Sequence, residues 1–221
     1  MHFISYFKKL IYLYVLIGFS SAFSGSYEDF FKAMKVDDSV AIQRLLARGF
    51  DANTVDEKGQ YGLLIALREP APKIAASLID APNINLNLLN PQGESPLMLA
   101  SLKDQLELAE KMVKKGADVN KTGWAPLHYA ASTGQVKMIA LLLENHAYID
   151  AESPNGSTPL MMASMYGSPE SVKLLLDEGA DSLLKNQQGL TALQFAQQAN
   201  RRDAIDLISE AVRRQRPPGK W

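Results

Sequence analysis

His128 and His146 are the only imidazoles beyond residue 2, and there is no cysteine anywhere in the 221 residues. Together these facts narrow the available chemistry. Structural and catalytic zinc sites are built mainly from thiolates and imidazoles, so two separated histidines make a poor zinc site. Cysteine nucleophiles and disulfides are absent by composition. No serine stands in a Gly-x-Ser-x-Gly elbow, and no phosphate-cradling glycine loop of either the Walker or the dinucleotide type occurs. Carboxylates remain, since two suitably spaced ones can hydrolyse some bonds. The acids Asp37, Asp38, Glu107, Glu110, Asp177 and Glu178, however, fall where helix surfaces and turns are expected. The expectation is a chain without enzymatic activity, cofactor or metal. A formal charge of −1 gives no reason to expect a nucleic-acid partner. The residue that stands out is apolar: Trp124, in "GWAPL", lies between a turn glycine and a proline.

Export is suggested by the first residues. "MHFISYFKKLIYLYVLIGFSSAFSGS" places Lys8 and Lys9 before an apolar run from Leu10 to Phe19, followed by small residues. This is the layout of a cleaved secretory signal. Cleavage after Ala22 or after Ser24 satisfies the small-residue requirement, and residues 1–24 are taken as the signal. The apolar run is shorter than the roughly 20 residues of a spanning helix, so no stable membrane insertion is expected after cleavage. Taking Lys8 and Lys9 from the 23 basic side chains, against 24 acidic ones, leaves a formal charge of −3.

The rest of the chain repeats itself. Glycine followed four residues later by leucine occurs in "GQYGL", "GESPL", "GWAPL", "GSTPL" and "GLTAL". The leucines are Leu63, Leu97, Leu127, Leu160 and Leu193, at spacings of 34, 30, 33 and 33. Small-residue quartets follow four of them ("LASL", "YAAS", "MASM", "FAQQ"), and then an apolar helical stripe such as Ile139, Leu142 and Leu143. Thr158 before Pro159 suits a helix N-cap and first turn. Gly116 and Gly179 suit left-handed helix ends, with Asn145-His146 in the same place of another copy. Met98, Met112, Met138, Met161, Met162 and Met165 read as core filler on helical faces. No such unit can bury its own apolar faces, so the copies must stack.

A period near 33 with this content resembles the ankyrin repeat, over roughly residues 28–212. The resemblance implies an all-α solenoid of stacked helix-turn-helix units with short β-hairpin tips, about five units including capping ones. The segments are about 28–53, 54–87, 88–120, 121–150, 151–183 and 184–212, within a repeat domain of 25–212. Two departures are visible. The unit from Gly59 has Tyr-Gly in place of Thr-Pro, has Pro70 and Pro72 in its inter-helix turn, and runs into "DAPNINLNLLN", so an irregular loop is expected. The spacing of 30 means that "DVNKTG" lacks three residues present in "YIDAESPNG", so the tip before Trp124 should be short.

The resemblance also implies where a partner would bind. Family members hold proteins on the face made from hairpin tips and first helices, and His128 occupies a place where they commonly carry a framework histidine. Hairpin slots after the glycine are filled here by Glu94, Trp124, Ser157 and Leu190, and slots before the inter-helix glycine by Ser132, Thr133, Met165 and Tyr166. Trp124 with Met165 and Tyr166 on the next unit would make an apolar patch, as interaction sites do. The expected function is a monomeric, non-catalytic module that binds a protein, located in the periplasm of a Gram-negative bacterium. Assisting an envelope enzyme, neutralising a toxin as an immunity protein, and acting as a secreted effector on a host protein all remain open. Residues 213–221, "RRQRPPGKW", form a basic tail that reads as a solvated terminus or as a contact for something acidic.

Overall fold

The computed structural model describes residues 25–215; the expected signal segment 1–24 and tail residues 216–221 lie outside the described residues. Twelve helices occur among the described residues: α1 (25–35), α2 (Ser39–Ala47), α3 (Gly62–Arg68), α4 (Pro72–Asp80), α5 (Pro96–Leu102), α6 (Leu106–Lys114), α7 (Pro126–Thr133), α8 (Val136–Glu144), α9 (Pro159–Tyr166), α10 (Pro169–Asp177), α11 (Ala192–Gln198) and α12 (Arg202–Gln215). They form six pairs, one more than the expected count of about five; 25–35 and Ser39–Ala47 make a full pair despite lacking the Thr-Pro start. Most are two turns long and would not hold by themselves in water, so stacking is what keeps them. The chain divides into two compact units, one ending at Ile84 and one beginning at Asn85.

In the first unit, Phe30, Ile42, Leu64, Leu67, Ile74 and Leu78 are fully buried. Phe30 packs tilted on Phe50 at 4.8 Å and edge-on to Phe31 at 5.0 Å. This explains the Tyr-Gly that replaces Thr-Pro. A Cβ on Gly62 would come within 2.8 Å of Phe30 Cζ, so the first residue of α3 is kept small for that ring. Pro72 is the first residue of α4, and the capping that Ala71 cannot supply comes from elsewhere. Asp37, held at φ 49°, accepts a hydrogen bond from the Ile74 amide at 3.1 Å. After α4 the chain turns at Ala81 without a left-handed glycine, which is the irregular loop expected there.

The second unit holds four pairs. The first helices α5, α7, α9 and α11 pack in series, and so do the second helices α6, α8, α10 and α12. Leu97, Leu127, Leu160, Met138, Leu142 and Leu175 are buried between these two layers. Thr158 caps α9 as expected, its hydroxyl accepting from the Met161 amide, and Pro159 is the first helical residue. Gly116 and Gly179 end their helices at φ 88° and 96°, and His146 does so at φ 66°. The last helix is described as far as Gln215, whose side-chain oxygen accepts from the Ser182 hydroxyl at 2.6 Å.

The hairpin tips are reduced to closed turns; an isolated bridge between Val55 and Tyr61 is the nearest approach to a strand among the described residues. Four turns share one design. At 90–94, the Asn90 amide donates to the Glu94 carbonyl and the Gly93 amide to the Asn90 carbonyl. The Asn90 side-chain oxygen accepts from the amides of Gln92 and Glu94 at 3.0 and 2.8 Å. Asp56 and Asn186 repeat the arrangement, and Ser153 does so with help from Asn155. Three residues earlier in sequence stands a second kind of residue, which links its repeat to the next: Asn53 to the Asn83 carbonyl, Asn87 to the Asp118 amide, Asp150 to the Asp181 amide.

Candidate functional site

Asn120 is where that design breaks. Its spacing from Gly123 is that of a turn residue, but its bonds are those of a linking residue. Its amide donates to the His146 carbonyl at 2.8 Å and its oxygen accepts from the Tyr148 amide at 2.8 Å. The three missing residues are therefore the turn itself, and among the described residues no backbone pair closes 120–124. A Cβ on Gly123, whose φ is 80°, would meet the Pro154 ring of the next turn at 3.5 Å. The short connection delivers Trp124 directly onto the face of the first helices.

There the indole stands edge-on to His128 (centroids 5.3 Å, 76°) and to Tyr129 (6.4 Å, 69°). With Leu102 at the end of α5, Ser132 on α7 and Met162 on α9, these rings line an open cleft of about 230 Å3. Trp124, Tyr129, Leu102 and Met162 are each partly exposed. His128 forms the floor. It is 1 % exposed, its Nδ1 accepts from the Ala125 amide at 3.2 Å, and its Nε2 faces the Ser157 carbonyl at 3.0 Å. A ring that accepts at Nδ1 and donates at Nε2 is the neutral tautomer. Burial lowers its pKa, against a smaller opposite effect of the backbone bonds to Ser157, Ala151 and Ala125. The role is that of a strut joining two repeats, as the resemblance implies, rather than that of a base. Burial, with a smaller contribution from Glu94, raises the Tyr129 pKa, so the phenol is neutral at ordinary pH.

The other expected contact residues divide. Ser132 and Thr133 are partly exposed and exposed, but both hydroxyls donate to the Tyr129 carbonyl, at 2.9 Å each. Glu94 is partly exposed, and its carboxylate accepts from the Asn90 side-chain amide at 2.6 Å. Leu190 is partly exposed at the last turn. Ser157 is a correction: it is 1 % exposed and cannot meet a partner. The following turn closes over its neighbours, with the Gln187 amide donating to the Asn155 carbonyl at 3.0 Å and the Gln187 side chain to the Pro154 carbonyl at 3.0 Å. The expected pairing of Trp124 with Met165 and Tyr166 is also revised. Tyr166 is 59 % exposed and Met165 partly so, but the α9 residue in the Trp124 cleft is Met162. The end of α9 is instead held by Arg201, whose guanidinium donates to the Gly167 carbonyl at 2.5 Å.

Met162, read as core filler, and Leu102 and Tyr129 are thus the lining residues that sequence reasoning missed. The signal was in the small-residue quartets. Tyr129 and Met162 are their first letters and Leu102 and Ser132 their fourth, and positions three apart on a helix share a face. Of the acids singled out in the sequence, Asp38 caps α2 by accepting from the Ala41 amide, Asp37 accepts from the Ile74 amide, and Asp177 pairs with Lys173. Among the described residues no three His, Asp or Glu side chains are placed to hold a metal ion.

An ankyrin-repeat family model matches the chain in three overlapping copies, over residues 30–122, 63–153 and 127–215. The chain belongs to the ankyrin-repeat family. Among solved structures it is similar to EF0377, an ankyrin repeat protein, with a TM-score of 0.73 and 27 % identity over 82 % of this chain and 96 % of that one. Among curated proteins, it is 32 % identical over 109 residues to the rat ankyrin repeat and SAM domain-containing protein 6, covering 48 % of this chain and 12 % of that protein. It is 31 % identical over 131 residues to human neurogenic locus notch homolog protein 1, covering 58 % of this chain and 5 % of that protein. It is 33 % identical over 109 residues to the E3 ubiquitin-protein ligase Ufd4 of Drosophila melanogaster, covering 49 % of this chain and 4 % of that protein. The chain therefore spans a small part of each of these curated relatives. Ankyrin repeats are generally protein–protein interaction modules and typically non-catalytic scaffolds. In this ankyrin-repeat protein, no helix among the described residues is long and apolar enough to cross a membrane.

Proposed function

We propose that this protein is a non-catalytic binding module, exported by residues 1–24 to the periplasm of a Gram-negative bacterium, that holds a protein partner against the Trp124 face. The observation that carries the reading is the partly exposed Trp124 set beside Tyr129, Leu102 and Met162 around a cleft of about 230 Å3. Tryptophan and tyrosine next to an apolar recess are the residue types whose truncation most often costs 2 kcal/mol or more of binding. The cleft is sized for one apolar side chain of the partner. The Ser132 hydroxyl in the cleft wall already donates within α7, so it offers lone pairs rather than a new donor.

The test is cross-linking in the native host's periplasm with the wild-type chain, Trp124→Ala, and Tyr148→Ala as a control outside the cleft (70 % exposed). A partner retained by Tyr148→Ala and weakened by about 2 kcal/mol in folded Trp124→Ala supports the reading. A partner held equally by all three moves the interface elsewhere. Fractionation with N-terminal sequencing of the mature chain checks the location: a start beyond residue 22 in the periplasmic fraction is expected, and an uncleaved cytoplasmic chain refutes export.

A further inference from the structure

The first unit carries a larger recess that the Trp124 reading does not use. It lies between α1 and the α3–α4 turn, with a volume of about 740 Å3. Its apolar wall includes Tyr27, Phe31, Val36, Ile65 and Pro70. Val36 is 73 % exposed, and Tyr27 and Phe31, both partly exposed, meet in a tilted contact at 4.9 Å (59°). Four carboxylates, Asp37, Asp56, Glu57 and Glu69, line the same recess against two ammonium groups, Lys35 and Lys58. Asp37 and Asp56 spend one oxygen each on backbone amides, whereas Glu57 and Glu69 stand exposed at the rim. An aromatic groove with an excess of negative charge suits an extended segment that carries prolines, a large ring and cations. Proline fixes φ and favours the extended left-handed helix that aromatic-lined grooves accept.

The chain contains one such segment. Residues 216–221, "RPPGKW", supply Arg216, a proline pair, Lys220 and Trp221 with no acid, and follow Arg213 and Arg214 at the exposed end of α12. Six extended residues span at most about 20 Å. Within the second unit, α12 is separated from α6 by α10 and α8, three packing steps. At roughly 8–10 Å a step this is more than the segment can cover to reach α6 across the second unit itself. We propose that this recess is a docking site for residues 216–221 of a second copy of the chain, so that the protein self-associates head to tail. The contact is heterologous, so it propagates into a chain of copies or closes into a ring. It replaces the expectation of a monomer and does not depend on what binds at Trp124.

Sedimentation of the chain as purified from its host tests this. Average mass should rise with concentration and fall back when salt is added, because the rim charges are solvent-exposed. The pair Glu57→Arg and Glu69→Arg, and separately the pair Arg216→Glu and Lys220→Glu, should each weaken association at least about tenfold, and combining them should restore it. All four positions lie at exposed rims or beyond α12, so circular dichroism should be unchanged. A labelled peptide of residues 213–221 should bind the chain lacking its last six residues, and the Trp221→Ala peptide should bind it at least about tenfold more weakly. A mass independent of concentration overturns the proposal, as does association that the groove substitutions leave unchanged. Binding of the peptide to phosphatidylglycerol vesicles with no binding to the protein overturns it in favour of a membrane contact.

Discussion

The turn at 120–124 and the turn at 153–157 do the same task in adjacent repeats and leave opposite residues on the surface. In the second, Ser153 and Asn155 satisfy the turn's amides, the next turn closes over it, and Ser157 ends buried at 1 % exposure. In the first, three residues are missing, Asn120 links to the following repeat instead of closing its own turn, and Trp124 remains partly open. Trp124 and Ser157 hold equivalent places after their glycines, yet only one is available to a partner. Register alone therefore does not decide accessibility; the length of the connection and the turn that follows do.

The comparison can be broken most severely at the strut shared by both turns. His128→Ala removes the acceptor of the Ala125 amide and the partner of the Ser157 carbonyl in a buried place. Urea denaturation should show a loss of about 3 kcal/mol, and a loss below about 1 kcal/mol would mean that the two repeats are not joined there. Next comes Asn120 against Ser153. Asn120→Ala loses two inter-repeat bonds without a substitute and should cost about 2 kcal/mol. Ser153→Ala leaves Asn155 to accept from the Ser157 amide and should cost about 1 kcal/mol or less. Equal losses would erase the distinction between the turns.

Acid offers a milder probe. Burial lowers the His128 pKa in the folded state, so the unfolded chain takes up its proton first as pH falls. Stability is full above the unfolded value of about 6.5 and declines as pH drops from there towards the lower folded value. The decline should be absent in His128→Gln. Asp150 acts with the opposite sign in a more acidic range, because its folded pKa is raised, chiefly by burial. The finest test inserts Ala-Glu-Ser after Asn120, copying 151–153, in a Trp221→Phe background. Stability should change by only about 0.5 kcal/mol, since loop length is cheap in entropy. Fluorescence quenching by acrylamide should nonetheless show altered access to Trp124; unchanged quenching would mean that the deletion does not set its exposure.

Much of this was legible in local sequence because the determinants are local. Thr158-Pro159 starts α9 through one side-chain bond and one fixed φ, and Gly116 and Gly179 end helices because they accept positive φ. The shortened tip before Trp124 followed from a missing triplet, which the bonding of Asn120 bears out. What was not legible involved partners one repeat away. Gly62 looked like a lapse from Thr-Pro, but it is the size of the space beside Phe30 that requires glycine. Met162 looked like filler, because its helical position says that it points from α9 and not what it meets across α7.

By itself, then, the sequence determined the repeat, its period, its helix starts and stops and the place of its one shortened turn. These depend on φ preferences, caps and hydrogen bonds within a few residues of each other. The tertiary structure alone decided that Ser157 is covered, that Trp124 stands beside Tyr129 and Met162, and that an acidic aromatic recess opens beside α1. Exposure and clefts arise where surfaces from separate repeats meet, and no short-range preference encodes how closely they approach.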